Sequence, residues 1–445
     1  MFRKLIFVGV LLLALTVMVG VGFAQDEGEP LKIGLLVDQS GGLTIYGYEL
    51  EYGFKLGLLY EAGINPDDYD SIDDALADVV IGGRPVEVLV RDNGSVPDTA
   101  SSQARELIEV EGVEILVGAP NSGVTISLQQ VAADYEVILF AAPGASPAIT
   151  SSTFHPNTFR VCRNTYQDAA TLATFAEEIG TDWMILAADY AFGRDSATIF
   201  EDILSERGIN FVQEPIYGPL ETSDFTPYLQ EILRADPDAL LTIWAGDNSV
   251  TLFQQINELG VSDEIAIVGG TNSNDVIAAA TTPEEIGNIA YIVYHYTMPD
   301  TEVNDWLVEK HITYFPNPFT GEVDYPDLFT GCSFATAQAL VLAVEETAGD
   351  TLPDAMIPAL EGMQIESPQG PIFIRPSDHQ ALVPLYITRL DNIDDPEYRF
   401  LELVQEVNLI DSAPPCRLEG EYADRCEMDE EFMAMVMEEM GMAEE

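Results

Sequence analysis

Apolar and polar residues follow one another along this chain in a pattern that predicts strands alternating with helices. Apolar runs bounded by polar or glycine-bearing loops predict four early strands, at 32–37, 86–90, 113–117 and 137–141. Between them, Leu50, Phe54 and Leu58 have helical spacing. A second helix is predicted from Asp98, as N-cap, to Gly112. The pattern is typical of α/β proteins with a mostly parallel sheet covered on both faces.

The same pattern then restarts, which predicts a second unit of the same kind. Five further strands are indicated, at 183–187, 210–213, 239–244, 265–268 and 289–294. Helices are predicted between them at 196–207 and 248–259. Later come a strong helix at 333–347 and β-like segments at 371–374 and 384–390. These last pieces are too few for a third domain, so we expect them to complete two lobes joined by a multi-strand hinge.

The first 24 residues have the pattern of a secretory signal. Arg3 and Lys4 precede an apolar stretch, small residues follow it, and the mature chain is expected to begin at Gln25. An uncleaved membrane anchor is the less favoured alternative, because the apolar run is short and polar sequence follows at once. No cysteine lies near the cleavage site, so no lipid attachment is expected there. We predict an exported protein, periplasmic or extracellular, with no membrane insertion after signal removal.

These boundaries divide the chain into four parts. We expect a signal peptide at 1–24. The remaining parts are lobe 1 at 25–161 plus 297–368, lobe 2 at 162–296 plus 369–412, and a C-terminal tail at 413–445. The tail is acidic and rich in methionine, and it is expected to be partly helical and to pack loosely on the body.

Composition excludes some partners without naming the ligand. The formal net charge is -58, and the chain has only four lysines. A surface this acidic repels phosphate backbones and anionic lipid, so neither nucleic acid nor a membrane surface is an expected partner. A solubility or salt adaptation is favoured over a specific cation-binding role.

Four cysteines in a chain bound for an oxidising compartment are expected to pair. Cys416 and Cys426 are close in sequence and are predicted to form a disulfide. A bond between Cys162 and Cys332 requires the fold to bring distant segments together, and the sequence leaves it open. No cysteine or histidine spacing predicts a zinc site, and no cofactor is expected.

The chain lacks the motifs that an enzyme of a common class would carry. The mature sequence has no G-x-S-x-G elbow, no phosphate loop, no H-E-x-x-H and no G-x-G-x-x-G. It does have small, polar, glycine-bearing loops after three predicted strands, at 38–47, 118–125 and 142–147. Open parallel sheets bind ligands at such strand ends, so the sequence predicts a small-molecule binding site there and no catalysis.

Seven segments together resemble the exported solute-binding proteins of branched-chain amino acid type ABC transporters, over the mature chain to about residue 410. The segments are K-I-G-L-L-V (32–37), S-G-G-L-T-I-Y-G (40–47), V-G-A-P-N-S-G-V-T (117–125), F-A-A-P-G-A-S-P (140–147), F-R-V-C-R-N (159–164), A-A-D-Y-A-F-G-R-D (187–195) and D-H-Q (378–380). The resemblance implies the type I periplasmic binding protein fold, with two Rossmann-like lobes. It also implies capture of a small polar ligand and its delivery to a membrane permease by a monomer. A ligand-sensing receptor of the same fold is the alternative.

The resemblance also implies a set of ligand-binding residues. Lobe 1 would hold a ligand carboxylate, or an equivalent oxygen, through the residues Ser122, Gly123, Gly144, Ala145 and Ser146. Tyr46 would lean over the ligand, Phe192 would stack on it, and Asp247 would face it from lobe 2. Tyr46 and Phe192 as core aromatics, and Asp247 as a helix cap, remain alternatives.

Two departures from the family pattern leave the ligand class open. Thr165 and Thr271 stand where the amino-acid binders of this family place acids for the α-ammonium group. A buried ammonium without a carboxylate partner is costly, which argues against a plain amino acid unless Asp168, Asp189 or Asp247 substitutes. Amino acids, amides or urea-like compounds, and small aromatic acids therefore all remain candidates.

Overall fold

The computed structural model describes residues 28–270 and 272–442. The predicted signal peptide and the mature start at Gln25 lie outside these residues. Within them, the structure contains two larger sheets and two small ones.

The first lobe is built on a six-stranded sheet of order β2-β3-β1-β4-β5-β6. Its strands are β1 (Leu31–Val37), β2 (Val80–Ile81), β3 (Arg84–Asp92), β4 (Ile115–Gly118), β5 (Ile138–Phe140) and β6 (Thr158–Phe159). Its helices from this part of the chain are α1 (Thr44–Glu61), α2 (Ile72–Ala77), α3 (Pro97–Glu106) and α4 (Ser122–Asp134). All neighbours pair in parallel except β2, which forms a hairpin with β3. In β1, Leu35 lies between Val90 and Val117, so apolar side chains stack across the sheet.

The second lobe repeats this plan with a five-stranded parallel sheet. Its strands are β7 (Asp182–Ala188), β8 (Asn210–Phe211), β9 (Ile216–Gly218), β10 (Ala239–Ile243) and β11 (Ala266–Val268). Its helices are α5 (Thr165–Leu172), α6 (Ala176–Ile179), α7 (Ala191–Glu206), α8 (Thr226–Ala235), α9 (Ser249–Glu258), α10 (Val261–Glu264) and α11 (Asn274–Ala280). The strand order is β11-β10-β7-β8, and β9 also pairs with β7.

The last third of the chain contributes elements that pack on both lobes. It contains β12 (Ile289–Ile292), α12 (Glu302–Tyr314), α13 (Thr330–Glu346), α14 (Pro353–Leu360), β13 (Gln364–Ser367), β14 (Gly370–Ile374), β15 (Ala381–Leu382), β16 (Leu385–Leu390), β17 (Leu401–Val407) and α15 (Asp429–Glu439). Helices α12 and α13 pack against α1 of the first lobe, whereas β12 and β16 pack against α5 of the second.

The chain passes between the lobes three times, after β6, after β12 and after β15. The expected boundary between 368 and 369 falls in the hairpin that joins β13 to β14, where Ser367 pairs with Gly370. Because β14 also pairs with β15, this hairpin stays together up to Leu382, and the third crossing comes just before β16. The periodicity of the sequence located the strands here but not the partner of each strand.

Two other details differ from the sequence prediction. Helix α3 begins at Pro97 after Val96, so Asp98 lies in its first turn and is not the N-cap. A π-helical turn then extends the helix to Glu111, where Gly112 ends it with a φ of 76°. The tail does not pack loosely, because Phe432 and Val436 are buried in a cluster with other apolar side chains.

Both disulfides that the sequence allows are present. Cys416 is bonded to Cys426 within the tail. Cys162, in the first crossing between the lobes, is bonded to Cys332 on α13, with the two Cα atoms 5.0 Å apart. The fold therefore brings together two segments that lie 170 residues apart in sequence.

Candidate functional site

The loops at the carboxyl ends of the parallel strands face one another across a cleft between the lobes. The cleft mouth is lined from the first lobe by residues 40–42, 94–97, 121 and 123, and from the second lobe by residues 189–191, 219–223, 247 and 248. This is where open parallel sheets bind ligands. The three loops singled out in the sequence, at 38–47, 118–125 and 142–147, follow β1, β4 and β5 and lie at the carboxyl edge of the first-lobe sheet.

At the inner end of the cleft is a cavity that we call the inner pocket, and its free space in this conformation is about the size of one water molecule. Its lining is mostly aromatic and apolar and contains one charged side chain, Arg163. The lining residues are Leu43, Tyr46, Pro120, Ser122, Pro143, Ala145, Arg163, Tyr190, Phe192, Ala245 and Phe329. Four sequence-predicted residues are brought together here, namely Tyr46, Ser122, Ala145 and Phe192.

Ser122 organises the loop that follows β5. Its Oγ accepts hydrogen bonds from the backbone N–H groups of Ala145 and Ser146, both at 3.1 Å. The N–H of Gly123 is bonded to the Asn121 side chain at 2.8 Å, as part of the cap of α4. In this conformation these three N–H groups are bonded within the protein, so the expectation that they stand free for a ligand is wrong.

Gly144 and Ser146 support the pocket from outside its lining. A Cβ on Gly144 would lie 2.6 Å from the Thr125 Oγ1, so only glycine fits this close approach. The Ser146 hydroxyl donates to Asp195 of the second lobe and accepts from the Ala148 N–H at 3.1 Å. Ser146 therefore bridges the lobes in this conformation.

A buried arginine holds this loop in place. Arg160 donates to the Ser146 carbonyl at 2.6 Å and to the Thr150 hydroxyl at 2.6 Å. Its Nε donates to Gln380 at 2.6 Å, in the strand segment that pairs with Arg160. Burial lowers the pKa of Arg160 to about 9, so the side chain is still charged at neutral pH.

Tyr46 and Asp247 join the lobes. The Tyr46 hydroxyl accepts from the Gly246 N–H at 3.2 Å, and its ring packs edge-on against Phe329 with centroids 4.8 Å apart. Asp247 Oδ1 accepts from the Ile45 N–H at 3.3 Å, across the cleft. Asp247 therefore makes a contact between lobes and is not a helix cap; α9 has Asn248 at its N-cap position.

Thr165 does not line the inner pocket. Thr165 is buried at the start of α5, where its hydroxyl bonds to the Ala145 carbonyl at 3.2 Å and to Ser196 Oγ at 2.9 Å. Thr271 lies outside the described residues. Among the described residues that line the inner pocket, no aspartate or glutamate is present.

Arg163 is the functional candidate that the sequence reasoning missed. Its guanidinium is 3% exposed, lies 3.3 Å from Asp168 and sits over the Phe329 ring at 5.1 Å. Neither Nε nor Nη1 has a hydrogen-bond partner. Burial raises the pKa of Asp168 to about 6, although Arg163 and Arg160 oppose that rise. The segment F-R-V-C-R-N was noted only as part of the resemblance, and nothing in it indicates which arginine faces the cleft.

The fold and site define a two-lobed binding protein whose pocket lies between the lobes. Within the described ranges, no helix has the length and apolarity needed to cross a membrane. The periplasmic binding protein family model matches residues 30–395. The chain therefore belongs to the periplasmic binding protein family.

Three similar proteins are informative. A Leu/Ile/Val-binding protein homolog 6 from Brucella suis is 24% identical over 324 residues, covering 72% of this chain and 80% of the relative. An ABC-type branched-chain amino acid transporter structure from Rhodopseudomonas palustris CGA009 is 28% identical, with a TM-score of 0.68 and coverage of 88% and 100%. A solute binding protein from Rhodopseudomonas palustris BisB5, in complex with 3,4-dihydroxybenzoic acid, is 22% identical, with a TM-score of 0.72 and coverage of 85% and 98%.

Proposed function

We propose that this protein is the exported, non-enzymatic solute-binding component of an ABC transporter and that its ligand is a small carboxylate, preferentially an aromatic one. It captures the ligand between the two lobes, as a monomer, and delivers it to the membrane permease. Family membership and the transport proteins to which it is similar support the transport role.

The observation that carries the ligand class is Arg163 in the inner pocket. The buried guanidinium is paired with Asp168 through Nε at 3.3 Å, but its Nη1 has no partner, and an anion in the pocket would complete its hydrogen bonds. Tyr46, Tyr190, Phe192 and Phe329 surround the same space with aromatic surface. An aromatic carboxylate satisfies both features once the lobes move apart enough to admit its ring, whereas an α-ammonium group finds no carboxylate in the described lining.

The two-lobe division supports a closing mechanism. The structure is in a closed arrangement, with Tyr46 bonded to Gly246 and Ile45 bonded to Asp247 across the cleft. A ligand in the inner pocket touches both lobes, so it stabilises the closed arrangement over an open one. The hydrogen bonds that Asp247 and Ser146 make across the cleft stabilise this closed arrangement further.

The test is a binding titration by calorimetry with benzoate, 4-hydroxybenzoate, benzamide and leucine. We expect the carboxylates to bind and benzamide to bind at least about 100-fold more weakly, because it lacks the charge that pairs with Arg163. Arg163→Gln should weaken carboxylate binding by about the same factor, while Arg207→Gln, an exposed arginine on the second lobe, should leave it unchanged. Leucine binding that survives Arg163→Gln would contradict the proposed ligand class.

A further inference from the structure

A second cavity between the lobes lies on the other side of Phe329 from the inner pocket. We call it the acidic cavity. From the first lobe it is lined by α1 and by the loop between α12 and α13, and from the second lobe by the start of α11 and by Tyr398. The full lining is Ile45, Tyr48, Glu49, Tyr52, Asn274, Asp275, Asn317, Pro318, Phe319, Asp324, Tyr325, Asp327, Thr330 and Tyr398.

The charge of this lining is entirely negative. Glu49, Asp275, Asp324 and Asp327 contribute carboxyl groups, and no lysine or arginine is among the lining residues. Glu49 is 6% exposed and Asp327 is 7% exposed. Burial raises the pKa of Glu49 well above its usual value and that of Asp327 to about 8, and the charged groups that add to both shifts are carboxylates. At neutral pH these raised pKa values keep both carboxyl groups largely protonated unless a cation is bound beside them.

Some of the polar atoms in the acidic cavity lack partners. Asp327 accepts from the N–H groups of Asn274 and Leu328, at 2.7 and 2.8 Å, so both its oxygens are bonded. Glu49 Oε2 accepts from the Phe329 N–H at 2.7 Å, but Oε1 has no partner. Asn274, only 4% exposed, has no partner for either atom of its side-chain amide. Unpartnered buried groups of this kind cost free energy unless a bound species satisfies them.

The contents of the acidic cavity must be small. The free space at the centre of the acidic cavity is about the size of one water molecule. In the described part of the chain, no group of three or more His, Cys, Asp or Glu side chains is arranged to hold a metal ion, which disfavours a divalent ion in a carboxylate cage. The unpartnered Glu49 Oε1 and Asn274 Oδ1 are acceptors suited to a cation with looser coordination.

We propose that the acidic cavity binds one small monovalent cation, which Glu49 of the first lobe and Asn274 of the second hold between them. Sodium, potassium and ammonium ions all have this size and charge. Because the two side chains belong to different lobes, the cation binds the closed arrangement better than an open one and stabilises it. This goes beyond the proposed function, since the site is separate from the inner pocket and does not depend on which carboxylate that pocket takes.

The experiment measures the melting temperature of the full chain in chloride salts of sodium, potassium, ammonium and choline at equal ionic strength. Choline screens surface charge equally but is too large for the cavity. We expect at least one of the small cations to raise the melting temperature by about 3 °C more than choline at concentrations 100-fold above its dissociation constant. The salt that saturates at the lowest concentration identifies which of the three cations the site prefers.

Two variants and one control tie this response to the acidic cavity. Glu49→Gln removes the charge and keeps the shape, and Asn274→Ala removes an amide that has no partner, so each should remove the difference between the small cations and choline. Glu177→Gln, an exposed acid on α6, should retain the full difference.

Three results would overturn the proposal. An identical melting temperature in all four salts would mean that the cavity holds water beside a protonated Glu49. A cation response that persists in both cavity variants would place it elsewhere. Saturation by micromolar calcium or magnesium, but by none of the monovalent cations, would assign the site to a divalent ion.

Discussion

At the scale of single residues, the inner pocket depends on side chains that act through backbone groups. Ser122 holds the N–H groups of Ala145 and Ser146, and Arg160 holds the carbonyl of Ser146. The loop after β5 is therefore set from two sides by buried hydrogen bonds, which are worth more in a low-dielectric interior than at the surface. Arg163 is the charged side chain among the residues that line the inner pocket.

We expect Ser122→Ala to weaken both the pocket and the fold. It leaves two buried N–H groups without an acceptor, at a cost of about 1–3 kcal/mol in the free energy of unfolding. Ligand affinity should fall about tenfold as the loop shifts. Thermal melts and calorimetry with the carboxylate that binds best measure the two effects, and Ser102→Ala on the exposed side of α3 is the control. If Ser122→Ala changes neither quantity, the loop is set by other contacts.

At the scale of elements, the first lobe depends on the close approach of α1 and α13. Gly53 and Gly57 face α13, and a Cβ on either would overlap a backbone carbonyl oxygen, that of Thr330 or that of Phe334. The spacing of four residues puts both glycines on one face of α1. Because α1 carries Tyr46 and Glu49, this packing also sets the positions of the inner pocket and of the acidic cavity.

We expect Gly57→Ala to destabilise the protein, although helix propensity alone would make alanine the more stabilising residue. Alanine in a helix interior normally stabilises by about 0.5–1 kcal/mol relative to glycine. Here the methyl group must push α13 away, and overpacking of this kind costs about 1–3 kcal/mol, so the melting temperature should fall. Ser205→Ala, at an exposed position of α7, should not lower it. A Gly57→Ala variant that melts higher than the wild type would show that the two helices are not in close contact.

At the scale of the whole molecule, acidity is both a surface property and an internal one. The net charge of -58 opposes compaction at neutral pH through self-repulsion. Several carboxyl groups are also buried, Asp168 beside Arg163 and the others without a paired lysine or arginine. Burial raises the pKa of Asp38 to about 6, that of Asp168 to about 6 and that of Asp327 to about 8.

These raised pKa values predict that stability increases as pH falls. A carboxyl group with a folded-state pKa above its unfolded value near 3.8 binds its proton more tightly when folded, so the folded state gains as pH drops. The gain from Asp327 begins near pH 8 and that from Asp38 and Asp168 near pH 6, and all are complete near pH 4. Groups with lowered pKa values, such as Glu114, lose their contribution only as pH falls through those values.

The measurement is the melting temperature between pH 8 and pH 5 in choline chloride, without small cations. We expect it to rise steadily toward pH 5. Asp327→Asn should remove the part of the rise between pH 8 and pH 6 and leave the part below pH 6. A melting temperature that falls between pH 8 and pH 6 would mean that these carboxyl groups are paired or solvated in solution.

The sequence alone determined most of the elements and which loops follow the carboxyl ends of the parallel strands. Runs of Val, Ile and Leu predict the parallel strands, and α1 and α13 follow from helical spacing, because burial on one face leaves a local periodic signal. Ser122 and Ala145 were predicted beside a pocket because the ends of parallel strands meet at one sheet edge. Only the tertiary structure decided which strand β14 joins, that Cys162 pairs with Cys332, and that Arg163 faces the inner pocket. Those depend on contacts between residues far apart in the chain, and local periodicity carries no information about such contacts.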